Sequence, residues 1–271
     1  MKTMKNYFLM AVFIMCTANL MAQEEERPEF VVATTMHWNM EQDEYDYDDF
    51  KAIEKEYLDK VVMKNELIVG ASFFMHQFTE DNSELLYVQT FKNWNDIHAA
   101  AQRSAELAKE AWPDDEARKA FFQKRNKLYS ADHSDEIYAT MDGAKHMSEM
   151  PTKDMTLYLQ IRHFAFPEDG SNEEWEELNK KYLENVIHKN EYIKAYYPNA
   201  HYYGSDRTEF LEAFYVDSLT DLDKMLDNMG TLANEAWPDE AAREEMGKKM
   251  GKYYTGIHGD YIYTYISGLS K

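Results

Sequence analysis

The stretch Leu-Ala-Lys-Glu-Ala-Trp-Pro-Asp-Asp-Glu-Ala-Arg at 107–118 returns as Leu-Ala-Asn-Glu-Ala-Trp-Pro-Asp-Glu-Ala-Ala-Arg at 232–243. Sliding the chain on itself by that 125-residue offset, without a gap, aligns 29–141 with 154–266. Identity then holds at 29 of 113 positions, among them Tyr57/Tyr182, Lys64-Asn65-Glu66/Lys189-Asn190-Glu191, His76/His201, Asp81/Asp206 and Tyr138/Tyr263. Register kept through strands, turns and helices alike marks a duplicated unit. At about 115 residues that unit is domain-sized and not a short solenoid repeat. The expected organisation is a first repeat at 29–145 and a second at 154–271, joined by a segment holding Pro151.

Ahead of the repeats, Lys2 and Lys5 precede the apolar run Tyr7–Met15 and then small and polar residues. Residues 1–22 read as a secretory signal peptide, since the run is too short for a membrane span. Cleavage is expected after Ala18 or Ala22. Cys16 is the one cysteine, and the Ile14-Met15 before it lacks the small residues of a lipidation signal. The expected product is an exported bacterial protein, periplasmic or extracellular, that carries no disulfide and relies on its core. Removing Lys2 and Lys5 makes the net charge of −21 two units more negative. Such a surface repels nucleic-acid phosphates and anionic lipid. No later apolar stretch approaches membrane length. Nucleic acid and membrane insertion are therefore not expected, and protein partners stay open. Residues 23–28 read as an acidic linker outside the fold.

Within a repeat, 30–38 and 155–163 alternate as strands. A polar turn leads to a helix running to about 64, striped by Phe50, Ile53, Tyr57 and Val61. Its copy carries Trp175, Leu178, Tyr182 and Val186, with Ser171 and Glu174 at capping-box spacing. Residues 67–78 and 84–91 form a strand pair across a hairpin turn at 79–82, repeated at 204–207. A helix over 94–110 turns Ile97, Ala101, Ala105 and Ala108 inward and stops at Trp112-Pro113. Trp112 and Trp237 read as plugs of the corner that follows. Asp114 caps a third helix to about 128. The last strand covers 135–141, and 260–266 in the copy.

The order β-α-β-β-α-α-β is the split βαβ, ferredoxin-like plan with one extra helix. Two such units in tandem, each with an amphipathic sheet, resemble the dimeric α/β-barrel superfamily. That superfamily includes the antibiotic-biosynthesis monooxygenase-like, NIPSNAP-like and stress-responsive barrel proteins. The resemblance covers both repeats and rests on element order and duplication. It brings no diagnostic motif, so no catalytic residue carries over. It implies an α+β fold in which one chain forms a pseudo-dimeric barrel, sheets face to face and helices outside.

Strand parity then proposes an interior. If the more apolar face meets the helices, Leu157, Leu159, Ile161, Leu211, Ala213, Ile262 and Ile266 point outward. The barrel interior would hold Tyr158, Gln160, Arg162, Glu212, Phe214, Tyr261, Tyr263 and Tyr265. Its first-repeat counterparts are Ala33, Thr35, His37, Tyr87, Gln89, Glu136, Tyr138 and Thr140. The expected ligand contacts are Tyr87, Gln89, Tyr138, Tyr158, Gln160, Tyr261, Tyr263 and Tyr265, a mixture suited to a small aromatic or amphipathic molecule. The plainer alternative is a sheet face of packed tyrosines with Arg162 paired to Glu212. The resemblance also implies a cofactor-independent oxygenase or a haem-handling enzyme. There Arg162 would hold an anionic group while His37 or Glu212 moved a proton. A third reading is a protein-interaction module without chemistry.

Two histidine sets complete the candidates. His76 with Asp81 and Glu84, and His201 with Asp206 and Glu209, have a spacing that can gather metal ligands across a hairpin. Asp81 is equally an ordinary turn residue. His133 with Asp135 and His258 with Asp260 suit acid–base work or a haem iron, or the fixing of a loop. No phosphate loop, nucleophile elbow or metalloprotease motif appears.

Overall fold

The structure, a computed structural model, describes residues 27–41 and 46–271. The proposed signal peptide and residues 23–26 of the linker lie outside that range. The first repeat supplies β1 (Phe30–Trp38), α1 (Tyr47–Lys60), β2 (Gly70–Phe78), β3 (Glu84–Phe91), α2 (Trp94–Ala111), α3 (Asp115–Asn126) and β4 (Tyr129–Thr140). The second supplies β5 (Met155–Phe164), α4 (Asn172–Tyr182), β6 (Ala195–Tyr203), β7 (Glu209–Val216), α5 (Leu219–Ala236), α6 (Glu240–Gly251) and β8 (Tyr254–Ser270). The element order is the one read from the sequence. β4 and β8 begin earlier than expected, at Tyr129 and Tyr254.

All eight strands close into one antiparallel barrel in the order β1-β3-β2-β8-β5-β7-β6-β4. Each repeat contributes four neighbouring strands, and two seams join them, β2 to β8 and β4 to β6. At those seams Met75 faces Thr264 and Ala139 faces Ala200. Closure leaves none of the eight with the unpaired row of amides that an open sheet edge presents. The helices pack outside. Leu58, Val62, Ile68 and Ala100 cover the first repeat's sheet, and Leu183, Ile187, Leu222 and Met225 cover Tyr158, Tyr196 and Phe214 in the second.

The repeated sentence is a helix–helix corner. Asp114 accepts from the Ala117 amide at 2.8 Å, and Arg118 donates to the Trp112 carbonyl at 3.0 Å. Asp239 and Arg243 repeat both contacts, to Ala242 and Trp237, at 2.9 Å each. The carboxylate thus satisfies a free amide at the helix start, and the guanidinium a free carbonyl at the preceding helix end. Asn65 and Asn190 explain the second identity block. Each is fully buried and donates across to the second helix of its repeat, to Ala100 O at 2.8 Å and Met225 O at 2.9 Å.

Two expectations are corrected here. Helix α2 buries Ala100, Leu107 and Ala108, while Ala101 and Ala105 face solvent. Leu107 has more apolar surface to hide than either alanine, and it sets the rotation of the helix. The acidic linker is not wholly outside the fold. Arg27 donates to Met141 O at 3.2 Å and pairs with Asp142, and the Pro28 carbonyl accepts from Thr140 at 2.7 Å.

Candidate functional site

The barrel encloses a cavity of about 530 Å³. Its belt is aliphatic: Val31 and Ala33 from β1, Leu86 and Val88 from β3, Leu157, Leu159 and Ile161 from β5, Leu211 and Ala213 from β7. Phe74, Tyr138, Tyr197, Tyr215, Tyr261, Tyr263 and Tyr265 supply aromatic surface. At the end where β1 and β5 finish, the lining is acidic, with Glu84 and Glu209 opening β3 and β7, and Glu136 on β4. The opposite end is bordered by Arg27, Pro28, Lys271 and the inter-repeat segment, including His146, Met147 and Met150.

Two hydrogen bonds cross between the repeats inside this space. The Tyr138 hydroxyl donates to Glu209 at 2.8 Å, and the Tyr263 hydroxyl to Glu84 at 2.6 Å. These are the same pair related by the duplication, each phenol reaching the other repeat's carboxylate. Burial first, then the Glu209 charge, pushes the Tyr138 phenol far above the ordinary tyrosine range. Burial, then the bond to Glu84, does the same at Tyr263. Both phenols are therefore fixed as donors.

Of the residues expected to face the interior, Tyr138, Tyr261, Tyr263 and Tyr265 line the cavity, as do Ala33, Thr35, Glu136 and Thr140. Tyr87, Gln89, Tyr158, Gln160, Arg162, Glu212 and Phe214 do not. Tyr87 stacks on Phe73 at 4.4 Å in the layer under α1, on the same outer face of β3 as Gln89. Tyr158 donates to Asp260 at 2.6 Å, and Gln160 donates to both at 2.9 and 3.0 Å. Conversely Leu157, Leu159, Ile161, Leu211 and Ala213 point inward, not at the helices. Ile262 and Ile266 keep their helix-facing side. The parity rule fails on β5 and β7 because a closed barrel dries both faces of its sheet. Apolar content then no longer separates inside from outside, and the repeat alignment carries the same reversal to β3.

His37, Arg162 and Glu212 are not brought together. The Arg162 guanidinium pairs with Glu212 beneath the second repeat's helices and lies 4.2 Å from the Tyr254 ring centre. Tyr196 donates to the same carboxylate at 2.6 Å. His37 sits instead at the end of β1, where Nδ1 lies 3.3 Å from both Ser83 Oγ and Asp81 Oδ2. The second repeat builds the same clamp from His163, with Thr208 at 3.1 Å and Asp206 at 3.2 Å. One ring nitrogen serves both partners, so the trio holds a hairpin and lacks the relay geometry of a hydrolase triad.

The metal candidates likewise separate. His76 contacts Thr79 at 2.8 Å, His201 contacts Glu136 at 3.1 Å, and Glu84 and Glu209 hold tyrosines. No group of three or more histidine, cysteine or acidic side chains poised for a metal ion occurs among the described residues. His133 and His258 pair with Asp135 and Asp260 at 3.7 and 3.3 Å, with more than half of each histidine side chain exposed. Neither lines the cavity, so neither fits as the axial ligand of a haem enclosed there. The two Tyr–Glu pairs were missed by the sequence reading. Their signal was present, because Glu84/Glu209 and Tyr138/Tyr263 are both identities of the repeat.

No protein-family model and no curated protein sequence matches the chain. Solved structures do. A candidate monooxygenase of Lactobacillus acidophilus NCFM superposes with a TM-score of 0.53 at 7% identity, over 89% of this chain and 95% of its own. A mutant chlorite dismutase of Candidatus Nitrospira defluvii gives 0.54 at 11%, over 91% and 93%. An anthrone oxidase-like protein gives 0.50 at 10%, over 91% and 94%. The chain has the dimeric α/β-barrel fold. In this dimeric α/β barrel one polypeptide supplies both halves. At identities this low the likeness speaks of fold and not of chemistry.

Proposed function

We propose that this is an exported binding protein whose barrel interior holds a small, largely apolar molecule, aromatic or amphipathic. The observation that carries the reading is the 530 Å³ cavity, drawn from both repeats, with its aliphatic belt and its two crossed Tyr–Glu pairs. Ligand sites are concave, mostly apolar and about 300–1,000 Å³, with few oriented polar groups. An open apolar space of this size forfeits dispersion contacts that a bound molecule restores. Export rests on the N-terminal sequence. No helix among the described residues is long and apolar enough to cross a membrane.

The test is to express the full chain in a bacterium, fractionate the cells and analyse the purified protein by native mass spectrometry. The expected result is an exported species cleaved after Ala18 or Ala22 that carries one small molecule released on denaturation. An uncleaved cytoplasmic species without added mass contradicts the reading. Catalysis on the enclosed molecule is the second reading, favoured by carboxylates in contact with fixed phenol donors inside an apolar space. Turnover of the retained molecule that is lost in Tyr138→Phe/Tyr263→Phe would establish it.

A further inference from the structure

The polar groups of the cavity are distributed by sign. Glu84, Glu136 and Glu209 line one end, and the basic residues of the lining, Arg27 and Lys271, belong to the other. Those two are committed elsewhere: Arg27 to Asp142 and Met141 O, Lys271 Nζ to Val62 O at 3.1 Å and Asn65 O at 2.6 Å. Among the described residues, the acidic end is thus lined by three carboxylates and no lysine or arginine.

Its hydrogen-bond inventory is equally one-sided. A carboxylate has about four acceptor sites. Glu84 takes one phenol from within the cavity, and so does Glu209. Glu136 receives His201 Nε2 and the Ser205 amide, both at 3.1 Å. The His201 side chain is only 4% exposed, packs edge-on to Tyr138, and its Nδ1 has no hydrogen-bond partner in the protein. The Tyr138 and Tyr263 phenols are thus already given to Glu209 and Glu84, and the three carboxylates keep acceptor sites to spare beside the Tyr261 hydroxyl.

Acceptors and negative charge facing an apolar cavity are costly unless a donor or cation meets them. We propose that the molecule held in the barrel is an amphipathic amine, its N–H head at Glu84, Glu136 and Glu209 and its apolar body against Leu157, Leu159 and Leu211. This rests on the cavity being a ligand site and names what that site selects. Tyrosine faces beside the head add cation–π attraction, and the aliphatic belt takes a flat or chain-like body.

Isothermal titration of the full chain with three probes of one shape tests it: naphthylethylamine, naphthylethanol and naphthylacetate. The amine is expected to bind at least about tenfold more tightly than the alcohol, and the carboxylate more weakly than either. Glu84→Gln/Glu209→Gln, which keeps an acceptor for each phenol, is expected to bring the amine down to the affinity of the alcohol. Should that double variant misfold by circular dichroism, Glu136→Gln and the wild-type series decide. Equal binding of amine and alcohol, or tightest binding of naphthylacetate, overturns the amine while leaving the cavity a ligand site. No binding of any probe removes both readings together.

Discussion

Arg162 and Glu212 in the second repeat, and Arg125 and Glu54 in the first, place a buried ion pair between sheet and helices using different positions. Arg125 donates to Glu54 at 2.7 and 3.0 Å, and Tyr129 adds a bond at 2.7 Å. The aligned Tyr254 stacks under Arg162. Charges so placed hold the outer layer together, which is why Arg162 belongs to stability and not to the cavity. Removing one partner leaves the other buried alone, at a cost of about 3–5 kcal/mol. Arg162 is partly exposed, so Arg162→Ala should lose about 3 kcal/mol in urea unfolding, the lower end of that range, while leaving probe binding unchanged. Reduced binding at intact stability would reverse the assignment. Tyr138 and Tyr263 give the alkaline counterpart. Their folded pKa values lie above the unfolded value of about 10. Their contribution is complete below pH ~10 and is lost as pH rises toward the folded values. In an absorbance titration their phenolates should appear only together with unfolding.

At the scale of elements, most of what forms locally was legible. Strand alternation placed β1, β3 and β5, and the Trp-Pro-Asp corner placed the break between α2 and α3. Asp114→Ala should cost about 1 kcal/mol, the usual worth of such a cap, read as a lowered melting temperature. The facing of β3, β5 and β7 was not legible, because it depends on a closure that no single strand encodes. His37 shows the same limit. Its clamp partner in the second repeat is His163, one position away from the aligned Arg162, because the whole of β5 pairs one residue out of the ungapped alignment: His37 faces Glu84, and His163 faces Glu209. The clamps carry a pH signature. Hydrogen bonds from Ser83 and Thr208 hold the Asp81 and Asp206 carboxyls below their ordinary value. That stabilisation is complete above pH ~4 and is lost as pH falls through the depressed values. Asp81→Asn/Asp206→Asn should therefore make acid unfolding less steep than in the wild type, followed by circular dichroism.

The whole molecule is organised by its two seams. Strand β2 of the first repeat needs a last strand from elsewhere, and β4 needs a second strand, so one repeat alone leaves both edges bare. Residues 27–150 expressed alone should pair with a second copy through the same two edges, giving a dimer in analytical ultracentrifugation. A stable monomer would show that the repeats do not depend on each other. The duplication made this architecture readable from the sequence, whereas the cavity emerged only once both seams had closed. The most direct test of that cavity fills it from one wall. Ala213 lines the belt on β7, and Ala213→Trp puts an indole into the space without adding charge. Calorimetric titration with naphthylethanol should show one site in the wild type and at least about tenfold weaker binding in a folded Ala213→Trp variant. Undiminished binding by that variant would contradict the account.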